Sequence, residues 1–179
     1  MSTNTNTDAN TNESEFYDSH DAGVGWATPR EYWEPLADAL GGFDLDPASG
    51  AEATPIADER YTVADNGLEQ PWYGDVWVNP PYGRSENPAW AGKASSEARR
   101  EAVDTLTALV PNSTGARWFR DNYAAAEYIT HIDGRISFND ADDGDAGTAT
   151  FYNVLVTWGD VPEPYLDACS QLGTVYERR

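Results

Sequence analysis

The spacing of hydrophobic and polar positions changes along the chain between a strand-like and a helix-like period. Strands are predicted at 75–78 (Asp-Val-Trp-Val), at 105–110 up to Pro111, at 128–132, at 136–138 and through the β-rich run 149–158. Shorter strands are predicted at 43–46, running into Pro47-Ala48-Ser49-Gly50, and at 61–63, leading to the turn Asp65-Asn66-Gly67. Helical patterns lie between them, at 31–40, 88–103 and 115–123. Thr28 is a suitable cap for the first helix and Pro29 suits its first position. Pro35 means that this helix is kinked or starts later, and Gly41-Gly42 ends it. Residues 51–60 read as irregular or weakly helical, and 141–147 as an acidic Asp/Gly loop. The stretch from Gly159 is mixed, with Pro162 and Pro164 breaking it.

Strands that alternate with helices predict an α/β sheet covered on both faces. In such sheets ligands bind beyond the carboxyl ends of the strands. Residues 1–22, with alternating Thr and Asn followed by acids, read as a disordered polar tail, which leaves 23–179 as one domain. No GxGxxG and no GxxxxGK[ST] occurs, and no internal repeat.

Charge changes the picture of the partners. Thirty-one acids face eleven bases, a net −20, and Lys93 is the single lysine. Acid excess with lysine almost absent points to adaptation to very high salt, where self-repulsion is screened. The alternative is an acidic protein that mimics nucleic acid or binds a basic partner. The charge predicts few phosphate contacts without excluding DNA, because phosphate contacts are weak for any protein in molar salt. The lone Cys169 allows no internal disulfide and fits a reducing, cytoplasmic compartment. No apolar run approaches the ~18 residues of a membrane-spanning helix, and the N-terminal residues lack the pattern of a signal peptide. The aspartates from 140 to 145 read as a solvated loop, so no metal is expected.

The chemistry concentrates in Asn79-Pro80-Pro81-Tyr82-Gly83, which follows a predicted strand directly. Two prolines fix φ and remove two backbone donors, so the turn presents acceptors only. The Asn79 side-chain oxygen and the Pro80 carbonyl can each take one N–H of a planar amino group. The N6 amine of adenine is a poor nucleophile because its lone pair is delocalised into the ring. Two acceptors favour a pyramidal nitrogen whose lone pair attacks a methyl in line. Tyr82 supplies a flat face for a base flipped out of the duplex.

The ordered set of motifs resembles the phage-type DNA N-6-adenine methyltransferases. It comprises Trp26-x-Thr28-Pro29, Phe43-x-Leu45-Asp46-Pro47-Ala48-Ser49, Asp65-Asn66-Gly67-Leu68-x-Gln70-x-Trp72 and Asn79-Pro80-Pro81-Tyr82-Gly83-Arg84. Val110-Pro111, Arg117-Trp118-Phe119 and Gly134-Arg135-Ile136-x-Phe138 continue it. The resemblance implies a Rossmann-like methyltransferase fold with a mixed, mostly parallel sheet and no separate target-recognition domain. It also implies site-specific transfer of a methyl group from S-adenosylmethionine to adenine N6 in double-stranded DNA, with Asn79, Pro80, Pro81 and Tyr82 as the catalytic set. Thr28 and Pro29 resemble the motif at the amino-acid end of the methyl donor. Leu45-Asp46-Pro47-Ala48 resembles a shortened donor-binding motif, with Asp46 able to accept from the α-ammonium. Asp44 or Asp65 would accept from the donor's ribose or adenine. That motif departs from the family's Gly-rich form, and only 33 positions separate Asp46 from Asn79. Asp46 therefore ends either the first or the second strand of the donor half. Arg84 and Arg135 are the cations expected to meet DNA. The likeness implies a viral or proviral source, and composition a halophilic archaeal host. Two other readings stand beside this one: the same chemistry on RNA adenine or protein glutamine, and a silent acidic DNA mimic.

Overall fold

A computed structural model describes residues 26–50, 55–140, 147–149 and 151–178. The polar tail and residues 141–146 of the acidic loop lie outside the described residues. The chain runs β1 (Trp26–Ala27), a 3-10 turn (Arg30–Tyr32), α1 (Glu34–Leu40), β2 (Leu45–Asp46), β3 (Glu59–Arg60) and β4 (Gly74–Val78). Then follow α2 (Glu86–Glu97), β5 (Val103–Pro111), α3 (Arg117–Tyr123), β6 (Tyr128–Ile132), β7 (Ser137–Asp140), β8 (Gly147–Thr148), β9 (Asn153–Trp158), α4 (Glu163–Leu172) and β10 (Gly173–Glu177).

Seven strands form a mixed sheet in the order β10-β6-β9-β5-β4-β2-β3, and β1-β7-β8 form a small second sheet. In the larger sheet β3, β2, β4 and β5 pair in parallel, whereas β5–β9, β9–β6 and β6–β10 pair antiparallel. The central strands are apolar on both faces because helices cover both. Val76 and Val78 of β4 join Leu106, Ala108 and Val110 of β5 beneath Trp90 and Ala94 of α2 and Phe119 of α3. Trp77, Leu109 and Leu155 point to the opposite face and pack with Leu36 of α1 and Tyr165 of α4.

The structure moves several predicted boundaries. The first helix starts late, at Glu34, with Pro35 in its first turn, and the 3-10 turn Arg30–Tyr32 precedes it. The strand expected at 61–63 lies two residues earlier, at Glu59–Arg60, where it pairs with β2; Val63 is exposed. The helix expected to reach residue 103 stops at Glu97, and Val103 is already in β5. The stretch from Gly159 is regular: Pro164 sits in the first turn of α4, where a missing N–H costs no helix bond, and β10 follows as an edge strand. Proline here starts a helix instead of breaking one.

A buried carboxylate fastens the approach to β4. Glu97, on α2, accepts the Trp72 amide at 3.0 Å and the Lys93 ammonium at 2.7 Å, and pairs with Arg100. Lys93 also donates to the Gln70 carbonyl at 2.7 Å. These cations hold the Glu97 carboxyl below its usual range despite its burial. The single lysine is thus spent inside the fold and not displayed on the surface.

Candidate active site

β4 delivers Asn79 one residue beyond its last paired position, at the carboxyl end of the central parallel strands. Pro80 is buried; Asn79, Pro81 and Tyr82 are half-buried. Asn79 is held at both ends of its amide. Nδ2 donates to Thr28 Oγ1 at 3.0 Å, and Oδ1 accepts the Tyr82 hydroxyl at 2.6 Å. The phenolic oxygen also lies 3.1 Å from the Leu109 carbonyl and accepts Asn153 Nδ2 at 3.3 Å. The Tyr82 ring meets Phe151 edge-on at 5.4 Å. Burial raises the Tyr82 phenol well above its ordinary pKa, so it stays a neutral donor. Two buried polar atoms on these strands lack a partner among the described residues: Asn153 Oδ1 and Trp77 Nε1.

β2 is the neighbour of β4, with Leu45 opposite Val76, and β3 lies outboard of it. Asp46 therefore ends the first strand of the larger sheet in chain order, directly beside the strand that carries Asn79. Strand spacing and rise put their Cα atoms roughly 8 Å apart. Asp46 is buried and accepts the Ala48 amide at 3.0 Å. Burial pushes its carboxyl up to about 7, against the opposing pull of the Ala48 amide and the Arg60 guanidinium. Pro47 is buried and Ala48 half-buried in the same loop. The 62–67 turn closes over this loop: a Cβ on Gly67 would collide with the Pro47 carbonyl oxygen, so only glycine allows the approach.

The other predicted residues divide. Thr28 is 7% exposed and reaches the Asn79 amide. Pro29 is buried and its carbonyl accepts the Tyr32 amide at 3.1 Å, which closes the 3-10 turn. Asp65 is exposed and accepts both the amide and the hydroxyl of Thr62 at 2.8 Å, which lowers its pKa and caps its own turn. Asp44 sits at the opposite end of β2 from Asn79, where its carboxylate accepts the Asp75 amide at 2.7 Å. A Cβ on Gly74, at φ +65°, would strike that carboxylate. The structure therefore places Asp44 as a staple between β2 and β4. Arg84 is exposed just past the turn. Arg135 lies over the Tyr152 ring at 5.4 Å, and Tyr152 is 52% exposed beside Phe151.

Asn153, the Leu109 carbonyl, Phe151 and Tyr152 are site neighbours that the sequence reading passed over. The available signal was Asn153, a polar residue at the head of the apolar run Val154-Leu155-Val156. Among the described residues no group of three His, Cys, Asp or Glu is placed to hold a metal ion. None of their helices is long and apolar enough to cross a membrane.

The fold and site define an α/β protein with an Asn-Pro-Pro-Tyr turn beside a buried carboxylate at the carboxyl ends of the parallel strands. The family model for DNA N-6-adenine-methyltransferase (Dam) matches residues 18–172, and the chain belongs to that family. It is similar to the DNA N-6-adenine-methyltransferase of Escherichia phage T1, at 32% identity over 108 residues. That match covers 58% of this chain and 43% of the relative, so the likeness spans less than half the relative's length.

Proposed function

We propose that this chain transfers a methyl group from S-adenosylmethionine to the N6 amino group of adenine in double-stranded DNA. Membership of the family supports this, and the observation that carries it is the Asn79 amide held from both sides at the end of β4. Asn79 Oδ1 and the Pro80 carbonyl face the target as acceptors, orient its amino group and stabilise positive charge developing on nitrogen. Tyr82 offers its ring to a flipped adenine, where stacking is worth roughly 1–3 kcal/mol. Arg135 with Tyr152, and Arg84 beyond the turn, are the DNA contacts.

The donor supplies an electrophilic methyl on a sulfonium when bound. The residues fit it: Asp46 is a buried carboxylate whose ionised form a cationic or hydroxyl-bearing partner would favour, and it lies beside Asn79. Asp46, Pro47 and Ala48 hold the donor, and the Asp65 turn flanks it. The domain is a Rossmann-like methyltransferase fold. Five strands point one way, since β5 and β6 are both antiparallel to β9, which supports that reading.

The test is methyl transfer from labelled S-adenosylmethionine to unmethylated duplex DNA in about 2–3 M KCl, followed by nucleoside analysis. Label in N6-methyladenosine is the expected result. Label appearing only in RNA or protein would overturn the substrate, and absence of donor binding would overturn the enzyme.

A further inference from the structure

We infer that Thr28 is a positioning residue for the methyl transfer proposed above: its hydroxyl sets which atom of the Asn79 amide faces the target base. This role differs from the donor binding that the sequence motif implies, and it rests on the proposed reaction.

The two contacts on the amide have different lengths, and each matches its chemistry. The 3.0 Å contact from Nδ2 to Thr28 is typical of N–H···O, and the 2.6 Å contact from Tyr82 to Oδ1 of O–H···O. Thr28 is itself fixed. Its carbonyl accepts Trp33 Nε1 at 3.2 Å, and the residue lies between β1 and the 3-10 turn, 51 positions from Asn79. Its side chain is nearly excluded from solvent, so water does not readily replace it as the acceptor.

An amide rotated by half a turn would point an NH2 at the amino group of adenine, donor against donor. Removing the Thr28 oxygen leaves Nδ2 without its acceptor; the Tyr82 hydroxyl, which can accept as well as donate, then holds the amide alone, and the rotated form becomes accessible. The donor-binding loop is on another strand and keeps its own contacts, so donor affinity should not follow.

The experiment compares Thr28→Val, which keeps the shape, with Thr28→Ser, which keeps the hydroxyl. Expected for Thr28→Val is a ten- to hundredfold fall in kcat with the donor Kd within about twofold, the scale of a misplaced reacting group. Thr28→Ser should recover the rate to within about threefold. A donor Kd that rises in step with the lost activity, or a serine variant as poor as the valine one, would overturn the role. The contact is also read without turnover: the side-chain amide protons of Asn79 should exchange slowly with solvent in the unaltered protein and quickly in Thr28→Val. Free exchange in the unaltered protein overturns the inference even if the valine variant does not fold. Failure of the proposed reaction itself shows separately, as absence of label in DNA before any substitution is made.

Discussion

The hydroxyl of Tyr82 donates to the side-chain oxygen of Asn79 at 2.6 Å, so the aromatic and the acceptor of the same turn are one hydrogen-bonded unit. The carbonyl oxygen has two lone pairs, and the second stays available for an incoming amino hydrogen. The bond fixes the ring as well as the amide, because the phenolic oxygen is also within reach of the Leu109 carbonyl and Asn153.

Tyr82→Phe should therefore separate positioning from stacking. It removes the hydroxyl and leaves the Asn153 amide without that acceptor, at about 1–2 kcal/mol of stability. A melting temperature lower by a few degrees is expected, with DNA affinity almost unchanged. Tyr82→Ala should in addition weaken DNA binding by about tenfold or more, from the lost stack. Equal DNA affinity for the two variants would remove the stacking role.

Asn79→Ala should lower kcat by at least about a hundredfold, the loss seen when a preorganised electrostatic group is deleted. Donor binding, measured by calorimetry, should stay within a few fold. Loss of donor binding in proportion to activity would reassign Asn79 to the donor site.

Asp46 predicts a pH signature. Its folded pKa of about 7 exceeds the ordinary carboxylate value near 3.9. The folded state thus holds a proton that the unfolded chain has released, and Asp46's contribution to stability falls as pH rises from about 4 to 7. Asp46→Asn should flatten that part of the stability profile and gain most above pH 7. A bound donor favours the ionised form, so donor affinity should rise from pH 6 to 8 with release of a proton, detectable by calorimetry in two buffers. A pH-independent affinity would show that Asp46 does not meet the donor.

Salt should stabilise this protein. Net −20 on 179 residues, with the one lysine engaged by Glu97 and Gln70, leaves strong mutual repulsion. The Debye length shrinks from about 10 Å at 0.1 M to about 3 Å at 1 M. Thermal unfolding should shift upward between 0.1 and 2 M KCl, and activity should follow. Full stability and activity at low salt would remove the high-salt adaptation.

Arg135→Ala and Tyr152→Ala should each weaken duplex binding by about tenfold at fixed salt, judged from the worth of one base or guanidinium contact. Donor affinity should not change. Fluorescence anisotropy with a labelled duplex measures this, and unchanged binding in both variants would place the DNA elsewhere.

Much of the site was legible because it is local. The Pro-Pro turn after Val-Trp-Val needs only covalent geometry and a strand before it, and both are written within ten residues. The central strands were legible for the same reason: runs such as Leu106-Thr107-Ala108-Leu109-Val110 suit burial on both faces. The C-terminal helix was not legible, because the same proline that breaks a helix interior begins a helix when it falls in the first turn. The strand at 59–60 escaped as well, because it is only two exposed residues whose pairing with β2 comes from across the sheet.

The sequence alone determined an α/β class, the acceptor-only turn and the excess of acid, each a property of neighbouring residues or of composition. Only the tertiary structure decided that Asp46 stands beside Asn79 while Asp44, two residues away, faces the other end of the sheet as a staple. It also decided that Thr28 reaches the Asn79 amide from a distant segment, while Asn153, from another, holds the Tyr82 hydroxyl that bonds the same amide. Such contacts depend on strand order and register, and those are set by which apolar faces pack together across the whole chain, a long-range result that no local pattern encodes.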